Sequence, residues 1–159
     1  MSDPLGEDDN IVAGFQIEGR TVRGRVTRIG SVLDEILSAH DYPAPVARLL
    51  GEAVLVTILV GDALKFDGRL IVQAQGDGPV RFLVAEYVTG EGVRGFASMD
   101  RAAVETALAG AVAAAAKMKT RFGDGLCGMT NDRGPDMEQY RGVVALEGNS
   151  LSAVAETYL

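Results

Sequence analysis

The chain has 159 residues and a formal net charge of −7, and 47% of its residues are hydrophobic and 23% charged. A chain of this length buries roughly 70% of the surface that its unfolded form exposes, so we expect a single domain with a real core. Nucleic-acid binding requires clustered positive charge, and the acidic balance therefore argues against a nucleic-acid partner.

The same counts constrain location and metal chemistry. The longest apolar stretch lies within residues 53–61 and is far shorter than the roughly 20 residues that span a bilayer. The acidic N-terminus has no apolar signal segment. We therefore expect a cytoplasmic protein that does not insert into membranes. With one cysteine, Cys127, and one histidine, His40, the chain lacks a zinc ligand set, and no metal or cofactor is expected.

The N-terminal part predicts a short acidic tail followed by strands. Residues 1–10 are predicted to be disordered, and residues 11–159 to form one domain. Loose alternation between Phe15 and Arg28 predicts one or two strands, interrupted by Gly19 and Gly24. A solvated or ion-paired sheet edge is favoured over a basic binding patch for the arginines of this stretch. They are Arg20, Arg23, Arg25 and Arg28.

Two central helices are predicted next, at residues 31–40 and 45–64. Ser31 and Asp34 form an S-x-x-D start signal for the first helix. Pro45 suits the first turn of the second, where a missing N–H is harmless. The second helix is apolar on nearly every side, which predicts that it is the buried centre of the fold.

The remaining pattern predicts an α+β fold with an antiparallel-rich sheet packed on the two helices. Residues 64–87, LKFDGRLIVQAQGDGPVRFLVAEY, predict a hairpin of two alternating segments around a glycine-rich corner. Further strands are predicted at residues 93–99, 126–130 and 140–147. Further helices are predicted near 101–117, where alanine dominates, and at 150–159, with Ser150 as a cap.

Two features invite a catalytic or ligand-binding interpretation. The corner Gln75–Pro79 lacks the phosphate-loop pattern and leads into a strand, so a turn with positive φ at Gly76 or Gly78 is favoured. Cys127 and His40 are a possible nucleophile and base, although a buried strand cysteine and a helix-end histidine are favoured. We predict that the chain is not an enzyme. The alternative is a small-molecule-binding or enzymatic domain that uses the corner or Cys127.

Several blocks resemble the redox-regulated chaperone family of the 33 kDa heat shock protein. They are HDYP before an apolar helix, LKFDG followed by QAQGDGP, then VRGFA, and finally YRGVVALEGNSLSAVAETYL. The resemblance implies an ATP-independent holdase that binds unfolding proteins under oxidative or heat stress. It also implies that Gln75–Pro79 is a corner of the sheet.

In that family a linker and a zinc domain with four switch cysteines follow the domain seen here. The chain departs from the pattern by ending before them, and Cys127 matches none of the four. We therefore expect a truncated core domain that lacks the redox switch. Such a domain exposes unpaired sheet edges, which predicts a homodimer.

Strand alternation predicts where clients bind. One face of the sheet is expected to meet the helices through Leu70, Val72, Val80, Phe82, Val84, Val144 and Leu146. The opposite face is then predicted to carry the client-binding residues Ile71, Leu83, Tyr87, Val143 and Ala145. Exposed apolar patches often mark protein-binding sites. Scattered surface aliphatics without function are the alternative.

Overall fold

A computed structural model describes residues 9–64, 67–107, 118–135 and 138–158 of the chain. The strands are β1 Asn10–Gln16, β2 Arg23–Ile29, β3 Arg69–Gly76, β4 Val80–Val88, β5 Gly92–Met99, β6 Gly125–Asp132 and β7 Tyr140–Ala145. The helices are α1 Ser31–Ser38, α2 Ala44–Ala63, α3 Arg101–Ala107, α4 Met118–Phe122 and α5 Leu151–Tyr158. Of the helix predicted near 101–117, residues 108–117 lie outside the described part.

The predicted α+β fold is confirmed. All strand pairs are antiparallel, in a ribbon of β1 and β2 and a five-stranded sheet in the order β5-β4-β3-β6-β7. The two helices predicted at 31–40 and 45–64 are α1 and α2, and the predicted hairpin is β3 and β4. One face of the large sheet packs against α2.

Helix α2 is the centre of the core. Its buried residues are Val46, Leu49, Leu50, Gly51, Ala53, Val54, Thr57, Ile58 and Gly61. The helix is long and apolar enough to cross a bilayer, but half of its most apolar segment is buried inside the fold. The buried Thr57 hydroxyl donates to the Ala53 carbonyl at 2.6 Å, so no unsatisfied polar group is introduced. Burial on several sides explains why the sequence lacks a clean polar face here.

Helix α1 begins differently from the prediction. Its N-cap is Gly30, not Ser31, and Gly30 makes no side-chain cap. Instead the Asp9 carboxylate accepts from the Ser31 N–H at 2.6 Å. The Asn10 side-chain oxygen accepts from the N–H groups of Gly30 and Val32, at 3.1 and 3.2 Å. The start of β1 therefore caps α1, and the predicted disordered segment does not extend through Asn10; residues 1–8 lie outside the described part.

The ribbon is continuous through Gly24, which was predicted to interrupt it. Gly24 lies opposite Phe15 in the β1–β2 register, and a Cβ built on it would overlap the Phe15 ring. The glycine thus admits the ring rather than ending the strand. Arg25 forms an ion pair with Asp62 of α2 at 2.8 Å, which agrees with the predicted ion-paired edge.

Helix α5 is anchored at its N-terminus by two side chains. The Ser150 hydroxyl accepts from the Ala153 N–H at 3.2 Å, which confirms the predicted cap. Glu52 of α2 accepts from both the N–H and the hydroxyl of Ser152, each at 3.0 Å. A carboxylate at this end also suits the helix dipole.

Candidate client-binding surface

The register of the sheet assigns each side chain to a face. Directly opposed residues of an antiparallel pair share a face, and the buried Leu70, Val72 and Ala74 of β3 define the inner face against α2. Their β4 partners are Tyr87, Ala85 and Leu83. Inner-face partners on β6 are Asn131, Met129 and Cys127.

Leu83 and Tyr87 were predicted on the opposite face, and this placement is wrong. Leu83 is fully buried, with 0% exposure. Tyr87 is partly buried against the core, where a Cβ built on Gly61 of α2 would overlap its ring. Burial, with a smaller contribution from the charge of Asp62, raises the pKa of the Tyr87 phenol.

The cause is a β-bulge at Arg81. In the β4–β5 register Val80 pairs with Met99 and Phe82 pairs with Ser98, so Arg81 has no partner. One extra residue reverses the alternation that follows it. Val80 and Leu83 are therefore both buried, and Phe82, predicted to face the helices, lies on the outer face together with Val84.

The corrected outer face carries a group of exposed or half-buried apolar side chains, which we call the outer patch. Its members are Ile71, Phe82, Val84, Phe96, Leu126, Val143 and Ala145. Ile71, Val143 and Ala145 lie here as predicted. Whether they bind clients stays a prediction. Phe96 is 40% exposed, Leu126 50% and Val143 52%.

Ion pairs border the outer patch at one end. The Glu86 carboxylate of β4 forms ion pairs with Arg94 of β5 at 2.8 Å and with Arg69 of β3 at 3.5 Å. Arg69 also lies 3.9 Å from Asp132 of β6. This row crosses four strands. Beside it, Gln73 and Gln75 of β3 separate the apolar side chains of β4 and β5 from those of β6 and β7, so the outer patch has two apolar parts.

The segment Gln75–Pro79 forms a corner of the sheet, as predicted. The predicted positive φ at Gly76 or Gly78 is wrong. Neither Gly76 nor Gly78 has a φ in the left-handed range. A Cβ on either glycine would overlap the backbone of Phe122, and the Gly78 N–H donates to the Phe122 carbonyl at 2.7 Å. The Asp77 carboxylate accepts from the Asp124 N–H at 2.9 Å. These glycines allow two backbones to touch.

Cys127 and His40 are far apart. Cys127 is 2% exposed on the inner face of β6, and burial raises the pKa of its thiol to about 11. His40 is exposed and its ring lies edge-on to Phe96 of β5, with centroids 5.2 Å apart. Strands β5 and β6 are three strand spacings apart, roughly 14 Å. No nucleophile–base pair forms.

The outer patch also holds residues that sequence reasoning missed. Phe96 follows Gly95, whose missing side chain leaves room for Val54, Leu50 and Ile36. Because glycine occupies this inner-face position, the alternation of apolar and polar residues along β5 could not be recognised from the sequence. Leu126 was within a predicted strand, and alternation from a buried Cys127 would have placed it outside. Among the described residues, no group of three or more His, Cys, Asp or Glu side chains is placed to hold a metal ion.

Comparison with known proteins gives consistent results. The family model of the Hsp33 protein matches residues 9–159. A 33 kDa chaperonin from Caulobacter vibrioides is 53% identical over 150 residues, which are 94% of this chain and 49% of that protein. One from Escherichia coli is 36% identical over 144 residues, 91% of this chain and 46% of that protein.

The fold has a solved counterpart. The crystal structure of a 33 kDa chaperonin from Thermotoga maritima superimposes with a TM-score of 0.75 at 18% identity, and covers 95% of this chain and 50% of that one. The chain thus spans about half the length of the curated relatives it matches. The family model and the identities together establish that this chain belongs to the Hsp33 protein family.

Proposed function

We propose that the chain is an ATP-independent holdase domain, which binds unfolding proteins under oxidative or heat stress. The outer patch is the observation that supports this most, because it exposes several large apolar side chains on a face that α2 does not cover. Such patches mark surfaces that bind other proteins. Membership in a family whose relatives are named chaperonins supports a chaperone role.

The geometry suits an apolar client. The five paired strands fix the backbone positions from which the patch side chains project, so little backbone freedom is lost when a client covers them. Burial of apolar area is favourable by about 25 cal/mol per Å² and needs no nucleotide. Unfolding proteins expose such area, and folded ones largely do not.

The alternative function is small-molecule binding or catalysis at Gln75–Pro79 or Cys127. At the corner, the Phe122 carbonyl already accepts from the Gly78 N–H. The Cys127 thiol is buried, and its raised pKa keeps it protonated at neutral pH. No observation on the described residues favours this alternative.

The proposal is tested by aggregation of a heat-denatured client without ATP. We expect the parent chain to suppress aggregation. Leu126→Lys with Val143→Lys should abolish suppression and the binding of a hydrophobic dye, because two charges then lie within the patch. Ala63→Lys with Ala153→Lys is the matched control, since it adds the same charge at exposed positions away from the patch.

Two results would contradict the proposal. If the parent chain fails to suppress aggregation, the holdase function is wrong. If Ile17→Lys with Val22→Lys abolishes suppression while the patch variant protects normally, clients bind the ribbon instead, where these side chains are 47% and 49% exposed.

Peroxide and zinc chelators should leave suppression unchanged. Cys127 is the one cysteine of the sequence, and its burial slows reaction with oxidants. Activation of the chain by peroxide would show that Cys127 is a switch.

We also propose that the chain forms a homodimer in the cytoplasm, without nucleic-acid or membrane partners. The exposed apolar side chains of the ribbon support self-association, because a second copy could cover them. Sedimentation at high micromolar concentration should show a dimer, and a monomer throughout that range would contradict this.

A further inference from the structure

The two outer strands of the large sheet differ in how their edges are covered. At β5, the Ala97 N–H donates to the Tyr42 hydroxyl at 3.2 Å. Further along, ribbon residues Asn10, Ile11 and Val12 face Gly92 and Val93 across a shared cavity of about 220 Å³. The covered edge of β5 therefore does not present a bare row of backbone groups.

At the opposite edge, β7 packs against α5, but among the described residues no side chain hydrogen-bonds to its outward backbone groups as Tyr42 does on β5. The Leu146 N–H donates to the Gly125 carbonyl at 3.0 Å, which fixes which β7 residues bond to β6. By the antiparallel alternation, the N–H and C=O groups of Val144 and Gly142 point to β6, and those of Val143 and Arg141 point outward.

The outward groups meet only one internal partner in the described chain. The Ala145 carbonyl accepts from the Glu147 N–H at 3.0 Å, which closes that end of the edge. Arg141 and Val143 each leave a donor and an acceptor, and Ala145 leaves a donor. Strand β7 contains no proline, and Arg141 is its one charged residue, so charge blocks pairing at one position at most.

We propose that the edge of β7 captures an extended apolar segment of a client as an additional β-strand. This inference rests on the proposed holdase function and specifies how that site recognises its client. A row of backbone donors and acceptors is complementary to another extended backbone, whatever its side chains are. Backbone pairing thus explains how one surface accepts many unfolding sequences.

The side chains around the edge define the client further. Val143 and Ala145 belong to the outer patch, so apolar side chains of the added strand would lie beside its β6–β7 part. Arg141 carries the one charge of β7, and its guanidinium lies over Gly128 on the same face. The preferred segment is therefore apolar, with a carboxylate opposite Arg141.

Amide hydrogen exchange on the parent chain tests the edge directly. The probe is a short fluorescent peptide of alternating valine and threonine with one aspartate. We expect it to slow exchange at the Arg141 and Val143 amides. The Gly142 and Val144 amides, already bonded to β6, serve as internal references and should change little. No peptide binding, or binding without protection of Arg141 and Val143, would overturn the inference.

Two analogues separate backbone from side-chain recognition. A depsipeptide, in which esters replace the peptide amides, keeps the side chains but loses the donors, and should bind at least about tenfold more weakly. Val143→Pro removes an outward N–H, which an edge tolerates, and should weaken binding to a similar degree. Equal binding by the depsipeptide would contradict strand addition.

The outcomes also distinguish this inference from the holdase proposal and from dimerisation through β7. If the peptide pairs with β7 but the parent chain does not suppress aggregation, the holdase proposal fails and the edge site stands. If suppression depends on the outer patch but not on Val143→Pro, the edge inference fails alone. If Arg141 and Val143 are already protected without peptide and Val143→Pro dissociates a dimer, a second copy occupies the edge and the client inference is overturned.

Discussion

The inner face of the β3–β4 hairpin is apolar throughout, whereas its outer face mixes apolar side chains with Arg69, Gln73, Gln75 and Glu86. Leu83 on the inner face is fully buried, whereas its neighbour Phe82 points outward into the patch. The covering helix α2 makes the difference, and the bulge at Arg81 decides which residue meets it. An apolar strand residue is therefore buried in the core or exposed on the outer face according to one inserted residue.

Placing a charge on each face in turn should give the largest difference. Leu83→Lys buries an ammonium without a partner and should cost about 4 kcal/mol or more of unfolding free energy, enough to prevent folding. Phe82→Lys adds the same charge on the outer face and should cost less than about 1.5 kcal/mol. Urea unfolding followed by circular dichroism measures both. Equal losses would show that the bulge does not set the faces.

The thiol on the inner face gives a pH-dependent version of the comparison. Because burial raises the pKa of Cys127 to about 11, the folded state holds its proton more tightly than the unfolded state does. The stabilising contribution of the protonated thiol is fully present below about pH 9, the unperturbed thiol pKa, and is lost as pH rises through 11. The difference in unfolding free energy between Cys127→Ala and the parent should therefore shift by about 2 kcal/mol in favour of the variant between pH 7 and pH 11.

Moving the thiol by one residue supplies the matched control. Leu126→Cys in a Cys127→Ala background places the thiol on the exposed outer face. It should react with a thiol reagent at neutral pH many times faster than Cys127 does in the parent. Comparable rates would mean that the inner face is open to solvent.

Much of this arrangement was predictable from periodicity and turn residues. The apolar run of α2 and the alternation of β3 needed only local patterns, and Ser150 identified the start of α5. The bulge was not predictable, because Arg81 resembles any outward strand residue, and its lack of a partner depends on β5. The cap of α1 was missed for a similar reason, since Asp9 and Asn10 reach Ser31 only after β1 pairs with β2.

Glycine-to-alanine substitutions on the two faces should differ by a smaller amount. A Cβ on Gly61 would overlap the Tyr87 ring, so Gly61→Ala should lose about 1 to 2 kcal/mol despite its better helix propensity. At Gly128 the nearest atom is Arg141 Nε, 3.7 Å from an added Cβ. Gly128→Ala should therefore stay within about 0.5 kcal/mol of the parent. Thermal unfolding of both variants tests this difference.

The smallest predicted effect concerns β5, where the two faces meet at a covered edge. Tyr42→Phe removes the acceptor for the Ala97 N–H and keeps the ring beside His40, whose centroid is 5.6 Å away. The loss should be about 1 kcal/mol, the usual contribution of one hydrogen bond. Exchange at the Ala97 amide should become faster, while the outer patch should still bind hydrophobic dye as in the parent. If dye binding fell together with stability, the Tyr42 contact would also position Phe96, and the cover of this edge would be part of the client surface.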